Sequence, residues 1–506
     1  MEYLIYKGFY NALDFTTAMP ANYTILDCYT DEPAGLGVPP YLGTYPRYIA
    51  GSIAKNTGEL PNYITIDDLR LLVHYKAKLP KEQMKTNIYI YNTTRSSEKI
   101  QQILNSTDEL IIILGVHTPG KYLSAIPGTL RELTVLLKDI NCRKILTGPA
   151  VFGTQLEGGK RTERIREGIF DEVRDYNFSY EQIAEFAVKG AEIIKQIPAL
   201  RIIEIETGKG CQRAPGCSFC TEPIKNKFEN RKLNDVLNEI KEFHKLGQRR
   251  FRIGKQSCFY AYPDCIELLK KTSELGDIKV LHIDNVNPMN VVTKRGEEIT
   301  KAVVKYCTAG NVAAFGVESF DERVITENNL NTNPEMVYKA IRLLNKYGAE
   351  RGENGMPKFL PGINILFGLK GETKETFEKN YFWLKKILDD GLLLRRINIR
   401  QVVAFPGTRL YEECGDKYIK KNKKYYWKWR HKIREDIDNQ MLKRLAPEGT
   451  ILSDLFTEIH DGKTTFARQF GTYPLIIGLK GRHELKQFVN AKVSGYMLRS
   501  VMGEVV

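Results

Sequence analysis

The chain reads as an α/β protein with a small all-β unit at its C-terminal end. Three observations predict this. Apolar runs that open into Gly/Pro loops recur in the first 195 residues. Six further apolar runs alternate with helical patterns up to about residue 412. After Pro447, short β-rich segments are punctuated by glycines.

In the first unit, 1–195, NYTILDCY (22–29) is a short strand followed by the loop TDEPAGLGVPPYLGTYP. LIIILGV (110–116) is continuously apolar, as expected of a strand buried on both faces of a parallel sheet, and leads into HTPGKYLSAIPGT. KILTGPAVFG (144–153) repeats the arrangement. Such strand ends are where doubly wound sheets take ligands.

The second unit, 196–412, carries RIIEIET (201–207), RRFRIGK (249–255), IKVLHID (278–284), NVAAFGV (311–317), GINILFG (362–368) and LRRINIRQVVAF (394–405). Between the first two, Leu233, Val236, Leu237, Ile240, Phe243 and Leu246 share one helical face, with Gly247 as a C-terminal cap. Asn333-Pro334-Glu335 starts another helix, ending at Gly348. The repetition predicts a parallel sheet, and periodicity leaves open whether it is flat or curled into a barrel.

Residues 413–446 are expected as a basic linker. Within KYIKKNKKYYWKWRHKIR (417–434) nine of eighteen residues are Lys or Arg, five are aromatic and none is acidic. Lys and Arg meet phosphates and aromatic rings stack on bases, although a solvated helix with its aromatics packed inward has the same composition. Residues 447–506 are expected as a small β-barrel.

Composition narrows the function classes. An apolar content of 42% and a charged content of 27% are ordinary for a soluble protein. No apolar run approaches the ~18–20 residues of a membrane span, so no membrane partner is expected. MEYLIYKGFY lacks a basic region followed by a long apolar core. Nine cysteines scattered over 506 residues do not form a secreted disulfide framework. The expected compartment is the reducing cytoplasm. With Lys+Arg at 75 and Asp+Glu at 61, the net charge is +14, which favours anionic partners, nucleic acid among them. A lysine-rich proteome gives the same number.

The sharpest local signal is TGKGCQRAPGCSFCTE (207–222), with Cys211, Cys217 and Cys220 inside ten positions. Thiolates select zinc or iron–sulfur clusters. A structural zinc needs four protein ligands, and the loop holds three and no histidine. Cys258 or Cys265 could supply a fourth, though neither sits in a second C-x-x-C pair. Three ligands suit a [4Fe–4S] cluster with its fourth iron open. Spacing alone leaves cluster, zinc and an incidental structural grouping as alternatives.

The loop, placed after the first strand of a βα repeat and with Phe219 before the last cysteine, resembles the cluster loop of the radical S-adenosylmethionine (SAM) superfamily. Its C-x5-C-x2-C spacing departs from the usual C-x3-C-x2-C. GKQS (254–257), FGVESFDERVI (315–325), GINILFGLKGET (362–373) and FPGTRLYE (405–412) resemble that superfamily's later motifs in the correct order. The resemblance implies a partial (β/α)6 barrel, a [4Fe–4S] cluster on Cys211, Cys217 and Cys220, and reductive cleavage of SAM. It further implies Phe219 against adenine, Gly254, Gln256 and Ser257 around the methionine moiety, and Glu318 and Ser319 facing the ribose or carboxylate region. Gly254 as a turn residue and Glu318 as an ion-pair partner are the plainer alternatives.

The N-terminal unit resembles the flavodoxin-like, cobalamin-binding-type domain that precedes many such cores. It lacks the D-x-H-x-x-G signature, and His117 stands without the rest of that pattern. Cobalamin is thus a further candidate cofactor. Residues 447–506 resemble a TRAM domain, a small RNA-binding barrel, which together with the core is similar to the tRNA methylthiotransferases. Those carry three more cysteines in the N-terminal domain, where this chain has only Cys28 and Cys142. The sequence therefore predicts a radical SAM enzyme, favouring methyl transfer with RNA as candidate substrate and a ferredoxin or flavodoxin as electron donor. The alternatives are modification of a small molecule or peptide without cobalamin, and a zinc-stabilised RNA-binding protein with no turnover.

Overall fold

A computed structural model describes residues 21–30, 37–79, 90–115, 123–152 and 168–506. Five parallel strands form the N-terminal sheet: β1 (Tyr23–Asp27), β3 (Asn62–Thr65), β4 (Glu109–Ile113), β5 (Arg143–Thr147) and β6 (Glu172–Val173). Their order, β3-β1-β4-β5-β6, is the flavodoxin-like one. As the continuous apolar run predicted, Leu110 to Ile113 are all buried. One strand leaves this unit. β2 (Tyr41–Leu42) pairs in parallel with β7 (Ile202–Glu206), so the N-terminal segment extends the sheet of the second unit.

The six apolar runs of the second unit become β7, β10 (Arg250–Gly254), β11 (Val280–Ile283) continued as β12 (Asn285–Val286), β13 (Asn311–Glu318), β14 (Phe359–Phe367) and β15 (Arg396–Gln401). The third strand breaks at Asp284, which divides the curled sheet into β11-β10-β7-β2 and β12-β13-β14-β15. The Ala314 amide still donates to the Asp284 carbonyl at 3.1 Å, so the arc is continuous. Between β7 and β10, β8 (Gly208–Lys209) and β9 (Glu229–Asn230) form a short antiparallel ribbon.

Alternation decides what this arc encloses, because successive strand side chains point to opposite faces. Ile203, Ile205, Phe251, Ile253, Leu281, Ile283, Phe315, Val317, Ile363, Ile365, Ile397 and Ile399 join the apolar core under the helices. The intervening positions face inward and are largely polar: Glu204 and Glu206, Arg252, His282, Glu318, Asn364, and Arg396, Asn398 and Arg400.

The basic run forms a helix, Lys417–Ile433, followed by a π turn at Arg434–Asp438. Three of its five aromatics pack inward. Tyr426 is buried with its ring 5.8 Å from that of Phe367, and Tyr425 and Trp429 lie against the same core, while Trp427 is 56% exposed. The rings are thus mostly structural, and the segment is a docked helix rather than a loose linker. The C-terminal strands β16 (Ile451–Asp461), β17 (Thr464–Gln469), β18 (Ile476–Lys480), β19 (Phe488–Tyr496) and β20 (Val501–Val505) close into a barrel in the order β16-β17-β18-β20-β19. Leu455, Ala467, Ile477, Leu479, Ala491 and Val493 fill it. Among the described residues no helix is long and apolar enough to cross a membrane.

Candidate active site

The cysteine loop stands at the C-terminal end of β7, closed at its base by the β8–β9 ribbon through the pairs Gly208–Asn230 and Lys209–Glu229. Within it, the Cys220 amide donates to the Cys217 carbonyl at 3.1 Å. Two asparagines at the end of the helix Glu322–Glu327 hold it from outside. Asn328 accepts the Ser218 amide (2.9 Å) on its carbonyl and the Ser218 hydroxyl (2.7 Å) on its side chain. Asn329, at φ +49°, donates to the Pro215 carbonyl at 2.7 Å and accepts from Arg213 Nη2 at 2.9 Å. The Ser218 carbonyl accepts the Leu410 amide at 2.8 Å, which ties the loop to FPGTRLYE. The result is a preorganised ligand set.

All three cysteines are half-buried and free. Burial raises the Cys217 thiol, offset by Arg213, whose Nη1 lies 3.4 Å from Sγ, and reinforced by Glu318 and Cys211. Burial likewise pushes Cys220 up to about 12, with Cys217 and Cys211 adding to it. The three thiols therefore share one electrostatic environment.

Zinc and a cluster ask different things of this donor set. Tetrahedral zinc at 2.3 Å from each sulfur draws thiolates to about 3.8 Å of one another. Such a site also needs a fourth protein ligand. Cys258 accepts from the Asn287 amide (3.2 Å) and Asn290 Nδ2 (3.4 Å), and Cys265 is buried under the helices, so both are engaged away from the loop. Three soft ligands, each free to take a different iron, fit a cluster better than a single ion.

Beneath the loop, polar side chains fill the barrel. Arg252, fully buried, pairs with Glu204 and Asp284. Lys255 lies 3.4 Å from Glu206 and donates to Thr44 of the N-terminal segment at 2.7 Å. His282 accepts the Thr472 amide on Nδ1 at 2.9 Å, and burial lowers its pKa to about 4, so it is neutral. The floor comes from the C-terminal barrel: Tyr473, in the β17–β18 loop at φ +55°, donates to Asp284 at 2.8 Å and stacks under Arg396.

The residues singled out from sequence separate into two groups. Phe219 packs against the apolar cluster that includes Val324, Leu369, Val402 and Leu410. Gly254 ends β10, where a Cβ would fall 2.9 Å from Arg252 Nη1, so close packing accounts for its identity. Gln256 is buried and accepts from Thr207 Oγ1 at 3.2 Å, while Ser257 is exposed. Glu318, at φ +63° on the bulge that ends β13, is raised to about 8 by burial, with Arg400 opposing the shift. Next to it Gly316 is exposed on the inner face, where a Cβ would fall 3.1 Å from Glu318 Oε1. Ser319 is different. It is buried, accepts the Asp321 amide at 3.1 Å and lies 3.5 Å from Asn380 of the outer helix layer, so its hydroxyl is turned away from the interior. His117 lies outside the described residues.

Sequence reading did not single out Arg213, Asn328, Asn329 or Arg400. The pair Asn328-Asn329 was a usable signal, because asparagine tolerates the left-handed conformation at helix ends.

Residues 205–384 match the model of the radical SAM superfamily. An uncharacterized protein of Methanocaldococcus jannaschii is 43% identical over 95% of this chain and 93% of its own. Two methylthiotransferases match shorter stretches. Ribosomal protein uS12 methylthiotransferase RimO of Thermoanaerobacter sp. is 25% identical over 34% of this chain and 38% of its own. The tRNA-2-methylthio-N(6)-dimethylallyladenosine synthase of Endomicrobium trichonymphae is 22% identical over 59% and 66%. The radical SAM methyltransferase TsrM of Kitasatospora setae, solved with cobalamin and a [4Fe-4S] cluster, superposes with a TM-score of 0.47 at 12% identity, over 78% of this chain and 74% of its own.

Proposed function

The chain belongs to the radical SAM superfamily, whose cofactors are a [4Fe–4S] cluster and SAM, and from that premise we propose that it modifies a nucleic-acid substrate by radical chemistry, with methyl transfer the favoured outcome. The observation that carries the reading is the pinned three-cysteine loop standing over a polar barrel interior. When bound, cluster and SAM supply one-electron cleavage of a sulfonium to give a carbon radical.

The chain's own residues supply position and shielding. Cys211, Cys217 and Cys220 hold the cluster, and Arg213 offsets negative charge at Cys217. Phe219 and the exposed backbone at Gly316 would border SAM, and Glu318, kept protonated near neutrality, can donate a hydrogen bond there. The Arg252–Glu204–Asp284 network and the Tyr473 floor close the interior from below. The division at about 195, 412 and 446 gives a cobalamin-type domain, the core, the basic helix and an RNA-binding barrel. RNA is supported by the basic helix and closed barrel, and by a relative named for tRNA. An electron donor of the ferredoxin or flavodoxin type is required by the chemistry.

The test is anaerobic reconstitution followed by dithionite, SAM and bulk tRNA, with and without cobalamin. The expected result is 5′-deoxyadenosine, with label from methyl-labelled SAM entering RNA. Deoxyadenosine with no label in RNA would remove the nucleic-acid reading and leave the small-molecule or peptide one.

A further inference from the structure

Three separate elements send arginines to one cluster along the inward face of β15. Arg396 and Arg400 sit four apart on β15, hence on the same inward face. Asn398 lies between them; with its amide oriented to satisfy both, its oxygen accepts from Arg400 Nε at 3.0 Å and Arg396 Nη2 at 3.1 Å. Arg430 and Arg434 come from the basic helix and its π turn. Arg434 Nη1 donates to the Ile397 carbonyl at 2.7 Å, which docks that helix onto the same strand. Arg499 comes from the turn before β20, held in place by Asn439 Nδ2 on the Met497 carbonyl at 2.9 Å.

Few acidic groups face this cluster. Asp438 pairs with Arg434 and lies 3.8 Å from Arg499. Glu318 is near Arg400 but burial keeps it protonated. Asp284 is near Arg396 but already holds Arg252 and Tyr473. Buried Nε–H groups of Arg430 and Arg434 find no acceptor among the described residues. The arginines also disfavour one another's charge: Arg499 is lowered to about 10, by burial first and then by Arg434, with Arg396 and Arg430 adding to it and Asp438 opposing. Confining like charges around one carboxylate is costly unless an anion joins them.

We infer that Arg396, Arg400, Arg430 and Arg499, backed by the buried Arg434, form an anchor for the phosphodiester backbone of a nucleic-acid strand, leading from the C-terminal barrel to the mouth above Glu318. Guanidinium forks match phosphate oxygens bidentately, and a strand offers repeated monoanions that a single carboxylate does not. This deepens the proposed nucleic-acid substrate and rests on that reading. It also assigns the helix's role to the arginines at its docked end rather than to its lysine-rich outer face.

The experiment uses the full reconstituted chain and a fluorescein-labelled 20-nucleotide single-stranded RNA, read by anisotropy over a salt series. The variants are Arg430→Gln/Arg499→Gln and a charge-matched control, Lys424→Gln/Lys428→Gln, from the exposed outer face. The arginine pair is expected to weaken binding by about tenfold or more and to lower the salt slope by about 1.4, the value for two lost single-strand phosphate contacts. The lysine pair should change binding less than about threefold. Equal losses in both pairs, no binding by the parent chain, or tighter binding of a poly-glutamate peptide than of RNA would each overturn the inference. Deoxyadenosine formed from SAM without RNA is measured in parallel and should be the same in parent and arginine pair. Its absence in the parent chain would defeat the radical reading while the contrast between the pairs still decides the anchor.

Discussion

The two barrels of this molecule are built on opposite interiors. The closed C-terminal barrel is filled by Leu455, Ile477, Leu479 and Val493, and its inside is a core. The open six-stranded arc buries its apolar side chains on the outside, under the helices, and turns Arg252, Glu204, His282 and Glu318 inward. A polar interior stabilises a fold poorly, because each buried charge must be matched. That cost is understandable where the interior is a reaction chamber. The apolar barrel then acts as a platform, contributing the Tyr473 floor and, beside Asp438, Arg499.

Cysteine substitutions give the largest expected effect on this contrast. Ala at Cys211, Cys217 or Cys220 should abolish deoxyadenosine formation, while Cys142→Ala, on the N-terminal unit, should leave it intact. Equal loss in Cys142→Ala would mean that the ligands are assigned wrongly.

Stability comes next. Arg252→Leu strands Glu204 and Asp284 in the chamber, and should cost about 3–5 kcal/mol. Leu455→Ala opens a cavity in the platform and should cost about 2–5 kcal/mol. Urea unfolding distinguishes them further, since only the Arg252→Leu loss should shrink when the carboxylates are protonated at low pH.

Tyr473→Phe removes the hydrogen bond that joins the two barrels at Asp284. A loss of about 1.5–3 kcal/mol is expected. A loss within error would show that this bond adds nothing to the floor beyond packing and the Thr472–His282 hydrogen bond.

A further effect is on pH dependence. Burial raises the Glu318 carboxyl from 4.5 to about 8, so the folded chain binds the proton more tightly than the unfolded one. The stability this contributes is full below pH 4.5 and is lost as pH rises through 8, at up to about 1.4 kcal/mol per unit. Glu318→Gln should remove that slope from urea unfolding of the metal-free protein between pH 5 and 9. An unchanged slope would place the group in water.

The arc's strands were legible as apolar runs because alternate residues pack under helices and only the inward ones are polar, as RRFRIGK shows. The cysteine loop was legible as well, since its ligands are local in sequence. β2, β3 and β6 were not, being two to four residues long and too short for a periodic signal. Nor was the break at Asp284, the clamp by Asn328 and Asn329, or the grouping of five arginines, because each depends on partners brought together only by the fold. Ser319 illustrates the converse: its motif position was readable, but a register shift between Gly316 and Glu318 decides which way its neighbours point.

The most direct measurement is iron, sulfide and zinc per chain after anaerobic reconstitution. About four irons and four sulfides in the parent chain, falling to background in Cys217→Ala, is the predicted result. Stoichiometric zinc without sulfide would contradict the central claim and make the cysteine loop a structural clasp.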